Sequence, residues 1–89
     1  STPNPELHAA EEVKAASATL TGAKPMITDA ATAAGASPDE AFAALEKLAK
    51  ENIDAFKKAY SSIDGARGEK DAVKKKDRQT KAINELLKK

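Results

Sequence analysis

The stretch from Ser37 to Gly65, SPDEAFAALEKLAKENIDAFKKAYSSIDG, constrains the fold of this chain more than any other. Ser37 is a good N-cap, Pro38 suits the first helical position, and Glu40 stands where a capping box places its carboxylate. Phe42, Ala49, Phe56 and Ile63 recur every seven residues, with Leu45, Leu48, Ile53 and Tyr60 beside them on the same face. Gly65 follows as a stop, because glycine enters the left-handed C′ conformation without a Cβ penalty. The pattern predicts one long amphipathic helix over 38–63. Asn52 falls at the core-facing edge of the heptads. It is expected to be partly exposed or bonded to backbone, the alternative being a buried polar contact that fixes register.

The remaining segments punctuate themselves in the same way. Ser1 to Asn4 reads as a flexible lead-in, and Asn4-Pro5-Glu6 as N-cap, first helical residue and an acid that complements the helix dipole. Ala9, Val13, Ala16 and Leu20 then line one face of a helix over about 5–21, with Glu11, Lys14 and Ala18 facing away and Leu7 off the stripe. Gly22 ends it. Pro25 opens a shorter helix over about 25–34, in which Met26, Ile27, Ala30, Ala33 and Ala34 share a face and Gly35 closes the segment. A helix of that length does not stand alone in water, so packing must hold it. After the loop Asp64-Gly65-Ala66-Arg67-Gly68, a last helix is expected over about 69–88. Its apolar side is Ala72, Val73, Thr80, Ile83, Leu86 and Leu87, with Lys76 snorkelling out of the stripe.

These readings give an all-α, single-domain bundle of three long helices plus one short one, up-and-down and antiparallel, over residues 1–89. The first two helices also read as one broken arm, comparable in length to the 38–63 arm. Leu, Ile, Val and Phe number 14 of 89 residues, low enough to raise the question of disorder, but the net charge is only +1 and the helical periodicity speaks for a folded domain. Alanine fills much of the gap, as the best helix former and a small side chain that lets helices approach closely.

Most chemistry is excluded by what is missing. There is no cysteine, hence no disulfide, thiolate nucleophile or cysteine-based zinc site. Glu11–Glu12 and Asp39–Glu40 are sequence neighbours, which splay apart on a helix instead of flanking a substrate. No phosphate loop follows Gly65 or Gly68. The one histidine, His8, has Glu11 and Glu12 at i+3 and i+4, a spacing that could place imidazole and carboxylate within reach of one metal ion. The order is the reverse of di-iron bundles and has no second copy, so His8 reads as a solvated residue. The chain is therefore expected to be no enzyme, with no catalytic residue, no metal and no cofactor. No run approaches the roughly 18 apolar residues of a membrane span. The opening on Ser1 instead of Met leans towards a processed, secreted or surface-exposed protein.

Charge is the one global asymmetry. Residues 1–66 hold six Lys/Arg against ten Asp/Glu, and residues 67–89 hold nine against four, an acidic body of net −4 beside a basic segment of net +5. Lys70, Lys74, Arg78 and Lys81 step by four, four and three along one side of the last helix, with Lys75 beside them. Such a face keeps a domain soluble, and it also suits docking of an acidic protein partner. The expected function is a non-enzymatic protein-interaction module presenting this charge-polarised surface. The alternative is an amphipathic helical carrier of lipid or another apolar ligand, or a binder of membrane surfaces. Nucleic acid is disfavoured because Phe42, Phe56 and Tyr60 sit on the core face of the 38–63 helix, leaving no aromatic to stack on bases. A membrane surface is disfavoured by the absence of Trp and the modest apolar stripe.

Overall fold

Side-chain caps and one left-handed glycine divide the chain into its elements. A computed structural model describes the backbone of residues 5–88 and the side chains of residues 11–88. Five helices follow one another: α1 (Pro5–Gly22), α2 (Lys24–Ala33), α3 (Pro38–Glu51), α4 (Ile53–Arg67) and α5 (Ala72–Leu87). No strand occurs among the described residues. The readings at Ser1–Asn4 and of the side chains of Leu7, His8 and Ala9 lie outside the described residues.

The Ser37 hydroxyl accepts from the Glu40 N–H at 3.3 Å, so the cap anticipated there is formed. Gly35 adopts φ 70° and turns the chain out of α2. Between α1 and α2 the helical ladder persists, since the Ala23 N–H bonds Thr19 O and the Ile27 N–H bonds Ala23 O, both at 3.0 Å. α1 and α2 are thus one arm broken at Ala23.

The expected 38–63 helix is not continuous. It breaks at Asn52, whose backbone lies at φ −154°, ψ 85° and whose Oδ1 accepts from the Ala55 N–H at 3.2 Å. An asparagine side chain competes with the backbone for such an N–H and so favours a cap over a helix interior. Asn52 is exposed, in keeping with the backbone-bonded reading and not with a buried register contact. Packing gives the break its use. In a straight helix a seven-residue repeat drifts about 20° per heptad, about 60° between Phe42 and Ile63. The break re-aims the second half, and Leu45, Ala49, Phe56 and Ile63 are all buried. Gly65 is no stop: α4 runs through it to Arg67.

α2 packs on α3, α4 and α5. With neighbours on three sides it buries Ile27, Ala30 and also Ala31, a broader face than the expected stripe. Its alanines, with Ala41 and Ala49 of α3, let the backbones approach closely, and Lys24 Nζ caps the α2–α3 contact at 5.6 Å from the Phe42 ring centroid. α1 packs mainly on α3 through Ala16 and Leu20. α5 closes the bundle against α4 and α2, but not through the expected stripe. It buries Gln79, Ala82 and Ile83, while Ala72, Val73 and Lys76 are exposed. The apolar positions in the first turn of α5 are left exposed.

Candidate functional site

The start of α5 is set three residues later than expected, by Asp71. Its Oδ2 accepts from the Lys74 N–H at 2.9 Å, satisfying one of the free donors of the first turn. Residues 69–70 therefore belong to the connection from α4. Lys70 stands in this loop, not on the helix, and the regular four-four-three spacing does not extend to it. Glu69 organises the loop: its Oε1 accepts from the Asp71 N–H at 3.4 Å, and its Oε2 pairs with Arg78 Nη1 at 3.1 Å. Arg78 also lies over α4, where a Cβ added at Gly65 would stand 3.1 Å from its Nη2. Arg78 is a strut between the loop and the two helices, with its charge already partnered.

The five basic residues of the expected strip are thus unequal. Lys70, Lys74 and Lys81 are exposed, Lys75 is half-buried, and Arg78 is committed to Glu69. Two residues outside that set join them. Val73 is 71% exposed between Lys70 and Lys74 in sequence, and Lys76 is exposed beyond it. The surface is a small apolar spot among exposed charged residues of both signs, Lys70, Lys74 and Lys76 with Asp71 and Asp77, not a purely cationic strip. Sequence periodicity placed Val73 in the core because it cannot report which positions of α5 a neighbour covers. Lys81 lines a shallow hollow of about 290 Å³ with Ser62, Arg78, Ala82 and Glu85.

A second concavity lies between α1 and α4. Ala15, Ala16 and Thr19 form one wall with Glu12 at its edge; Ile53, Phe56 and Tyr60 form the other, with Lys57 and Ser61 at its rim, around about 390 Å³. The Phe56 and Tyr60 rings, one helical turn apart, stack with centroids 5.9 Å apart and planes at 24°. Their spacing was legible as a core face. That α1 leaves part of this face uncovered was not, because it depends on where α1 crosses.

Among the described residues no group of three His, Cys, Asp or Glu side chains converges as metal ligands, and no helix is long and apolar enough to cross a membrane. Several hydroxyls are spent on their own helices: Thr19 donates to Ala15 O, Thr21 to Ser17 O and Ser62 to Lys58 O, all near 3 Å. Compared with known proteins, the chain matches no family, no curated protein and no solved structure.

Proposed function

We propose that this domain is a non-enzymatic interaction module whose α5 start, with the loop before it, docks an acidic segment of a protein partner. The observation that carries this reading is Val73, exposed to 71% in a segment where Lys70, Lys74 and Lys76 outnumber the exposed acids Asp71 and Asp77. Lysines steer an acidic chain and set its approach, while a desolvated apolar contact supplies affinity that charge alone does not. The Glu69–Arg78 strut and the Asp71 cap hold the spot on a defined backbone. A four-residue connection between packed neighbours suits an antiparallel α4–α5 hairpin, which presents this spot at one end of the molecule. The aromatic residues lie on α3 and α4, buried or half-buried, which speaks against stacking on nucleic-acid bases.

The test separates charge from shape. Lys70, Lys74 and Lys76 are reversed together to Glu, leaving Arg78 in place because its charge is already paired with Glu69. Partners captured from the source organism are identified by mass spectrometry, and their association rates are measured from low to high salt. The reversal is expected to slow association at least tenfold and to flatten its salt dependence. Val73→Asp should speed dissociation instead. A partner whose rates ignore both variants overturns the reading.

A further inference from the structure

We propose that the joint between α3 and α4 at Asn52 is a hinge through which two copies of this chain exchange halves, forming a domain-swapped dimer. The proposal rests on the joint and does not depend on the reading of the α5 surface.

A single residue makes the joint. The Asn52 N–H bonds Leu48 O at 2.8 Å and the Phe56 N–H bonds Asn52 O at 3.0 Å, both with the spacing of a continuous helix. Between them the Ile53, Asp54 and Ala55 N–H groups do not reach the Ala49, Lys50 and Glu51 carbonyls, as they do in such a helix. Asn52 Oδ1 replaces one of these bonds by accepting from Ala55. Turning Asn52 from φ −154°, ψ 85° to helical values of about −63° and −42° makes all three and releases the cap. No residue from 39 to 64 is Gly or Pro, and Phe42, Ala49, Phe56 and Ile63 keep one heptad register through the joint. By contrast, Pro25 and Pro38 each bar a continuous helix at the two earlier joints. Locally, the joined helix is the better-bonded form.

Packing between the two halves holds the bent form. α4 and α5 pack on α2 and α3, and Leu45, Ala49, Phe56 and Ile63 are buried. Opening the joint in an isolated molecule uncovers those faces, and burial of several large apolar side chains outweighs the backbone bonds that return. A second open copy removes that penalty. The uncovered faces of one half fit the other half of the same sequence, so the α4–α5 hairpin of one copy seats on α2 and α3 of its partner, and the reverse. New contact arises only near the two-fold axis, where two joined helices over 38–67, about 45 Å long, cross. Leu48 and Ile53, half-buried beside the joint in the single molecule, gain cover there.

The chain is refolded from urea at low and at high protein concentration, and its mass in solution is measured by light scattering. A dimer is expected from high concentration. Asn52→Ala, which removes one cap from each chain of the bent form, should raise the dimerisation constant about thirtyfold. Ile53→Pro fits the first position of α4 but not the interior of a joined helix, so it should abolish the dimer. Asp54→Pro, at an exposed position of the same turn, serves if that variant loses its helical circular dichroism. Mixed with isotope-labelled dimer and followed by native mass spectrometry, the dimer should exchange chains no faster than it unfolds, because both halves must part. A chain that stays monomeric after refolding at high concentration overturns the proposal. So does a dimer indifferent to Asn52→Ala, one that survives the proline substitution, or one whose chains exchange within the time of mixing.

Discussion

Gly35 holds φ 70°, a left-handed conformation that penalises a Cβ, whereas Gly65 lies inside α4, where alanine is the better residue. The two look alike in the sequence, each following a helical run. Gly35→Ala should cost about 1 kcal/mol or more, because the substituted residue must enter a strained region. At Gly65 an added Cβ meets only the end of the flexible Arg78 side chain, at 3.1 Å. Moving that side chain perturbs an exposed ion pair worth at most about 1 kcal/mol, against a helix gain of about 0.5–1 kcal/mol. Gly65→Ala should therefore be neutral to stabilising. Urea denaturation of both variants checks this, and a loss of 1 kcal/mol or more at Gly65 would contradict it. Arg78 shows the same limit: its place in a basic row was legible, but its partner Glu69, nine positions away, was not.

At the scale of elements, the break at Asn52 divides an apolar pattern that reads as one helix. Periodicity registers which positions are apolar, and both halves keep the repeat, so the pattern contains no sign of the interruption. The sign was Asn52 itself, a helix-capping residue type at an interior position. Asn52→Ala removes the acceptor of the Ala55 N–H and should lower stability by about 1 kcal/mol with little change in helical circular dichroism. A stabilised variant would mean that α3 and α4 gain by joining, and that the cap does not hold the break. α5 repeats the lesson from the other side. Ile83, Leu86 and Leu87 pack or half-pack as their spacing implies, whereas Ala72 and Val73, on the same apolar register, have no neighbour to meet.

For the whole molecule, the radius of gyration is 13.9 Å and the extents are 51 × 23 × 20 Å, longer than the about 12 Å radius of a rounded domain of this size. An elongated bundle shares its core unequally. α2 is gripped by three helices, while α1 rests mainly on α3 and buries only Ala16 and Leu20 among its described side chains. Local opening should therefore release α1 before the rest. Hydrogen exchange is expected to show the amides of residues 16–22 exchanging faster than those of residues 27–31, with little dependence on denaturant. Equal protection of both segments would show that α1 unfolds only with the whole.

The sequence by itself determined the all-α class, the Ser37 cap, the short packed helix ended by Gly35, the lack of cysteine chemistry and the separation of acidic from basic segments. Each depends on a residue's own conformational and ionic preferences or on neighbours within a turn or two. Only the tertiary structure decided that the 38–63 pattern breaks at Asn52, that Val73 is exposed while Gln79 and Ala31 are buried, and that Arg78 pairs with Glu69. It also decided that a groove remains between α1 and α4. Those outcomes turn on where one helix crosses another and how far it runs beyond its neighbours. Residues far apart in the chain settle both, and a local pattern carries no record of them.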